Sequence, residues 1–593
     1  MLDPVAGWTV GRLLAERART GGGRSFCVVQ PLDDGAPAQH FTLADADARA
    51  TDVARGLLTL GLGSTDRVVV HLPNGGDFLW AWLGAARAGV TMVATNLRSA
   101  TEELGWMAGH ARAAAVVTDE GGATRHAAAW GGRPVVTVDE LRARGREVGA
   151  PSVPGGPERG GAAREDDDCA VLYTSGSTSR PKGVRLSHAA YVWAGRLGAA
   201  LTRLTPEDRH LVVNPLFHVN AQTYSTMPVL WAGASMALCE RFSASRYLRW
   251  ARAHGCTAAS VVTAQVRILL TRDPPSGAAV PAGAADVDER ALERAHGLRW
   301  IGGAAVMPAL EERLGVETVG WYGMTETVTT PLCSGRGNAP GRRAGYVGTV
   351  SPGYRVRLRA TGGGLVERPG EVGALEVEGV PGRTLMTGYL DDEAATRAAF
   401  GLDEDRADEA ATRAAFGLDE DRADETAARA AFGLDEDRAN ETARVAFGRN
   451  ELRAGAAGRV WLRTGDLVAA DEAGQVRFVG RAKDMIKVGG ENVAALEVER
   501  ALCAHPAVLE AAAIGVPDPV LDEVVKAYVV LRDGAAAAPA PEELRAHCRA
   551  LLADFKVPCA VEVRPELPRV TLDKIDKNAL RYEERLRREG GAG

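Results

Sequence analysis

Residues 173–184, Tyr-Thr-Ser-Gly-Ser-Thr-Ser-Arg-Pro-Lys-Gly-Val, restrict the fold of this chain more than any other stretch. The apolar run Cys169-Ala170-Val171-Leu172 just before it reads as a short buried strand bounded by polar residues. The chain then enters a loop with four hydroxyls (Thr174, Ser175, Ser177, Thr178), glycines at Gly176 and Gly183, and Lys182 fixed behind Pro181. Glycines let backbone N–H groups approach an anion closely, hydroxyls add donors, and a lysine supplies a point charge for phosphate oxygens. The spacing is not the G-x-x-x-x-G-K-[ST] of a P-loop, because Pro181 precedes Lys182 and Gly183 follows it. A flexible Ser/Gly linker has a similar composition. It would need neither the buried strand before it nor the fixed Pro-Lys-Gly after it.

At 593 residues the chain is too long for one compact core, so two or more domains are expected. Hydrophobic residues at 46% and charged residues at 25% are ordinary for a globular protein and leave no reason to expect disorder throughout. No apolar stretch approaches the roughly 18 residues of a membrane span. The N-terminus lacks a basic region followed by an apolar one, and the eight cysteines are scattered without C-x-x-C spacing. Reduced thiols and a cytoplasmic protein are the expectation. No basic run suggests a nucleic-acid partner.

Along the chain, residues 8–20 read as an amphipathic helix. Arg67–Leu72 reads as a strand, Phe78–Ala88 as a helix and Val90–Ala94 as a second strand. Such alternation, continued from 186 to 330, predicts a parallel sheet covered by helices. Residues 149–168, rich in Gly, Pro and charge, read as a surface loop. Residues 395–442 hold three copies of a 16-residue unit, starting ATRAAFGLDEDRADEA, followed by a partial fourth. Each unit has room for a short helix, a glycine stop and an acidic tract. One aromatic per unit buries too little surface to offset ordering entropy. The units together carry −8 of a chain whose net charge is −7, so the acidity is local and says little about a site elsewhere. From Gly480-Arg481 onward, strands at 511–516 and 524–531 and helices at 542–553 and 576–588 make a small α+β unit.

With these elements in place, residues 173–184 resemble the phosphate-binding signature of the adenylate-forming (AMP-binding) superfamily, which includes acyl-CoA synthetases, peptide-synthetase adenylation domains and luciferases. The remaining motifs follow in the family's order. Gly302-Gly303 after a strand would let backbone press against a flat ligand. In Tyr322-Gly323-Met324-Thr325-Glu326, the resemblance implies that Tyr322 stacks on adenine, Thr325 contacts phosphate and Glu326 holds Mg²⁺. A hard cation sharing its shell with phosphates does want a carboxylate oxygen. Asp466, in Thr464-Gly465-Asp466-Leu467, is implied to bind ribose, Arg481 to contact the nucleotide and Lys483 to be the hinge of the small domain. Gly489-Gly490 would let the pantetheine arm of CoA pass close to the backbone. A lone histidine in an apolar run such as Pro215-Leu216-Phe217-His218 is usually a core residue, but the resemblance gives His218 the gate of the acyl pocket. Lys574 takes the place of the family's adenylation lysine, with Asp573 and Leu572 where the family has glycine and threonine. A carboxylate there competes for the ammonium, and loss of glycine stiffens the loop.

The resemblance implies a large α/β N-terminal domain with parallel βα subdomains (1–480, with the repeat insertion at about 395–450) and a small, mobile α+β C-terminal domain (481–593). Within the superfamily the chain looks like an acyl-CoA synthetase, nearest to carnitine/crotonobetaine–CoA ligases. That implies ATP, Mg²⁺ and coenzyme A acting on a small carboxylic acid, by acyl-AMP and then a thioester. An acceptor other than CoA (a carrier protein, an amine, or nitrite activation) and a non-catalytic nucleotide-binding protein stay open. The acid, the oligomeric state and the role of the repeats are not legible.

Overall fold

The computed structural model describes residues 5–33, 35–148, 163–174, 180–271, 296–337, 339, 342–360, 363–402, 458–488, 491–532, 538–569 and 575–590. The chain packs as two compact units, Met1–Val356 with Val377–Leu462, and Arg357–Glu376 with Arg463–Gly593.

The first unit is built on two sheets. One has seven strands in the order Gly388–Tyr389, Lys182–Ser187, Asp168–Thr174, Thr91–Ala94, Arg67–His71, Ala115–Thr118 and Val135–Val136. Its central strands pair in parallel, Val69 beside Val93 and Val116, and their Val/Ala runs are buried on both faces, as crossover connections require. Asp168–Thr174 and Lys182–Ser187 instead pair antiparallel, with Thr174 opposite Lys182. The strands on either side of the expected phosphate loop are therefore antiparallel neighbours, where a P-loop would run from strand into helix. The other sheet has nine strands, of which Arg209–Val212, Ser235–Cys239, Ala258–Ser260, Trp300–Gly303 and Glu317–Tyr322 form a parallel core.

Helix His188–Thr202 is buried nearly all round, which marks a core helix and not a surface one. Ser187 starts it: its Oγ accepts the Ala190 N–H at 3.1 Å and donates to the Gly382 carbonyl at 2.6 Å. The amphipathic N-terminal segment is helical over Val10–Gly21, capped by Thr9. The βα alternation expected between 186 and 330 has one departure. Asn220–Thr226 is a π-helix that passes into the α-helix Met227–Ala232.

The second unit contains the strands Val508–Asp518 and Asp522–Leu531, paired antiparallel over their whole length, with Ala560–Val563 parallel to the latter. Helices Ala495–Cys503 and Pro541–Leu551 cover one face through Val498, Leu502, Leu544 and Cys548. In this unit, Glu376 is buried among the guanidinium groups of Arg357 (2.5 Å), Arg359 (3.0 Å) and Arg463 (3.5 Å), which satisfy its charge. All eight cysteines are free thiols, six of them buried. Among the described residues no helix is long and apolar enough to cross a membrane.

The first repeat forms the short helix expected of it, over Glu393–Ala399. Asp392 caps it, Phe400 is buried, and Thr396 Oγ1 accepts the Tyr389 N–H at 2.9 Å. The rest of the repeats, from residue 403, lies outside the described residues, as do 149–162 of the expected surface loop.

Candidate active site

Lys182 opens its strand on the same face as Val184, and Tyr389 pairs with Val184 from the neighbouring strand. That register makes Tyr389 a diagonal neighbour of Lys182, within reach of a long side chain. The Lys182 ammonium accordingly lies over the Tyr389 ring, 4.8 Å from its centre. At its other end the Tyr389 hydroxyl donates to Glu326 Oε1 at 3.0 Å. Glu326 is only 6% exposed. Burial, and then the Glu326 charge, hold the Tyr389 phenol well above its ordinary range, so it stays protonated and donates. The structure thus gathers the cation and the carboxylate expected for phosphate and metal around a tyrosine to which sequence reasoning gave no role.

Thr325–Thr327 is a single 3₁₀ turn after the strand Glu317–Tyr322. Thr327 Oγ1 accepts the Met324 N–H at 2.9 Å. The next residue, Val328, has φ +63° and ψ −52°, and Thr329 N–H closes onto Thr327 O at 2.6 Å. This is a γ-turn of the rare positive-φ hand, centred on a β-branched residue. Tertiary bonds hold the strain. Thr223 Oγ1 donates to Val328 O at 2.6 Å, and the buried Tyr354 hydroxyl to Thr327 O at 3.1 Å.

Thr223 belongs to the π-helix, whose first residue, Asn220, joins a polar cluster with residues outside it. Asn214 Nδ2 donates to Asn220 Oδ1 (2.7 Å), Ser260 Oγ donates to the same oxygen (3.2 Å), and Gln265 Nε2 donates to Asn214 Oδ1 (2.8 Å). Gln222 is buried between the Tyr191 hydroxyl and the Leu216 carbonyl. His218 lies at the head of this segment with its ring 4.5 Å from that of Phe217. Burial lowers its pKa to about 4, so the imidazole is neutral at pH 7. Tyr224 packs edge-on to Trp321 at 5.3 Å. A Cβ on Gly302 would fall inside the Trp321 indole, so the flat group that Gly302 admits here is the chain's own tryptophan. Gly303 is pressed by the Met307 side chain, and Tyr322 is buried at the end of its strand.

In the second unit, Asp466 and Arg481 are register partners on adjacent strands, and Arg481 Nε lies 2.8 Å from Asp466 Oδ1. Gly465, at φ +71°, provides the bend before Asp466 that a side chain would strain. Lys483 sits in the 3₁₀ turn Ala482–Asp484. The C-terminal helix Lys577–Gly590 holds that turn, since Arg581 reaches Asp484 Oδ1 at 2.9 Å and the Lys483 carbonyl at 3.4 Å. Ser175, Gly176, Ser177, Thr178, Gly489, Gly490, Asp573 and Lys574 lie outside the described residues.

Among the described residues no group of three or more His, Cys, Asp or Glu side chains gathers to hold a metal. Magnesium needs no such cage. It keeps waters and binds one or two carboxylates together with substrate phosphates, a role that fits buried Glu326.

The large α/β unit thus brings a cation, Lys182, and a buried carboxylate, Glu326, onto one tyrosine beside the paired strands Asp168–Thr174 and Lys182–Ser187. The profile of the AMP-binding enzymes matches residues 14–390, and that of the AMP-binding enzyme C-terminal domain matches 497–574. The chain belongs to the AMP-binding enzyme family, in its acyl-CoA synthetase branch. It is 28% identical over 570 residues to a crotonobetaine/carnitine–CoA ligase of Salmonella arizonae, covering 92% of this chain and 93% of that one. The ATP-bound structure of MatB from Rhodopseudomonas palustris superposes with a TM-score of 0.73 at 25% identity, over 97% of this chain and 98% of that one. The o-succinylbenzoate coenzyme A synthetase of Bacillus subtilis, solved with ATP and magnesium ion, shares the fold, with a TM-score of 0.72 at 23% identity over 96% and 99% of the two chains.

Proposed function

We propose that the protein is an ATP- and Mg²⁺-dependent ligase joining a small carboxylic acid to coenzyme A. The observation that carries this reading is Lys182 and Glu326 held on one tyrosine inside the segment matched to the family. In the first half-reaction a carboxylate oxygen attacks the α-phosphorus of ATP, forming acyl-AMP and releasing pyrophosphate. In the second, the CoA thiol attacks the acyl carbon, giving the thioester and AMP.

Bound Mg²⁺ would neutralise charge on the phosphate oxygens. Lys182 and the hydroxyls of 174–178 would bind those oxygens, Thr325 would touch phosphate, and Glu326 would supply the metal's carboxylate. Tyr322 would stack on the adenine, while Gly302 and Gly303, packed against Trp321 and Met307, would act only by shaping the strand end beside it. Asp466 would take the ribose diol, with Arg481 beside it. Lys574 would steady the α-phosphate and the leaving pyrophosphate. We assign the turn about Lys483 to the second half-reaction, with the chain from 481 as the moving part and Gly489-Gly490 admitting pantetheine. His218 would gate the acid, whose pocket we place at the π-helix. The polar cluster of Asn214, Asn220, Ser260 and Gln265 suits a small acid bearing a polar or charged group better than a long alkyl chain.

A second reading keeps adenylation and changes the acceptor to a carrier-protein thiol, an amine or nitrite. It is favoured by Asp573 and Leu572 beside Lys574. Mass-spectrometric product analysis with MgATP and a panel of carboxylic acids, with and without CoA, tests both. Acyl-CoA with AMP supports the first reading. Acyl-AMP that accumulates regardless of CoA supports the second. No adenylate from any acid contradicts both.

A further inference from the structure

We propose that Tyr389 is a positioning residue for nucleotide and metal binding, keeping Lys182 and Glu326 apart and each aimed at its own ligand. The inference rests on the adenylating reading above and adds to it a residue with no assigned role. The backbone connects all three groups. Met386 N–H donates to the Glu326 carbonyl at 2.8 Å, while Thr387 N–H and Leu390 N–H donate to the Arg185 and Gly183 carbonyls at 2.9 and 2.7 Å. One short segment is thus tied at one end to the carboxylate's turn and at the other to the lysine's strand. The Tyr389 side chain repeats the connection, with its ring face under the ammonium and its hydroxyl on Oε1.

An ammonium and a carboxylate left to meet in a buried site would pair directly, and a nucleotide and its metal would then have to break that pair. Tyrosine meets both groups without joining them. A ring face attracts a cation weakly enough to release it to phosphate. A phenol O–H donated to Oε1 fixes the orientation of the carboxylate without neutralising its charge. Donation to the anion also enriches the ring, so the two contacts reinforce each other. The helix Glu393–Ala399, which overlaps the start of the first repeat, accepts the Tyr389 N–H through Thr396 and holds the strand in register.

The test is calorimetric titration of ATP into the full chain, once with Mg²⁺ and once with EDTA, for wild type, Tyr389→Phe and Tyr389→Leu. Thermal melts identify any variant that does not fold. Tyr389→Phe keeps the ring and loses the hydroxyl. Its MgATP affinity should fall roughly ten-fold while its affinity for metal-free ATP stays within about two-fold of wild type. Tyr389→Leu should weaken both. Tyr389→Phe binding MgATP as tightly as wild type, or losing both affinities equally, overturns the proposal even if Tyr389→Leu is unfolded. If wild type binds MgATP and only the Tyr389→Phe prediction fails, the adenylating reading stands and this inference falls. If wild type binds no MgATP, both fall.

Discussion

Lys182, Tyr389 and Glu326 come from three distant segments and meet as one charged group, whereas the polar cluster of Asn214, Asn220, Ser260 and Gln265 is uncharged and bonded within itself. The charged side pairs a point cation with a buried carboxylate, the two groups that the proposed function assigns to phosphate and to metal. The uncharged side presents amides and hydroxyls already paired with one another. A ligand there gains affinity only by matching that pattern, because displaced partners would be left unsatisfied. Under the proposed function the first region would carry the reaction and the second the choice of acid.

The largest effects should separate the two regions. Glu326→Gln or Lys182→Ala should lower acid-dependent pyrophosphate release at least about 100-fold with every acid alike, since charge stabilisation at the phosphates is lost. A loss confined to one acid would put these residues on the wrong side of the comparison. Asn214→Leu removes a donor to Asn220 and an acceptor for Gln265. It should cost about 1–3 kcal/mol in denaturant unfolding and change the ranking of acids while leaving the KM for ATP within about two-fold. Thr223 joins the regions through its bond to Val328 O beside the Glu326 turn. Thr223→Val should raise the KM for the acid and lower kcat together by several-fold, and Thr223→Ser should restore both. Equal behaviour of the two variants would mean that the hydroxyl does not couple them.

Stability against pH should change least in neutral solution. Burial lowers the pKa values of His188, His210 and His218 to about 4 from an ordinary 6.5. Their unfolded forms take up protons first as pH falls. The stability tied to the neutral rings is therefore fully present above pH 6.5 and is lost as pH falls toward 4. The urea midpoint should stay level from pH 8 to 7 and drop below 6.5, and His210→Gln should flatten the drop.

What the sequence disclosed follows the same division. Lys182, Glu326, Asp466 and Arg481 sit in short contiguous motifs, so each could be singled out as a candidate, Glu326, Asp466 and Arg481 through the family resemblance. Asp466 and Arg481 even prove to be register partners. Tyr389 was given no role, because its contacts come from a strand pairing and a turn far away in sequence. The π-helix at Asn220–Thr226 differs from an α-helix by one residue in the turn, which leaves no trace in apolar periodicity. Val328 gave no warning either. Valine disfavours positive φ, and Thr223 and Tyr354, bonded from elsewhere in the chain, help hold the turn in which it sits.

Acid-dependent exchange of labelled pyrophosphate into ATP, measured without CoA, tests the central claim most directly. Exchange that needs both Mg²⁺ and a carboxylic acid, and that vanishes in Glu326→Gln, is the predicted result. ATP bound by the wild-type chain with no exchange for any acid in a broad panel would contradict it.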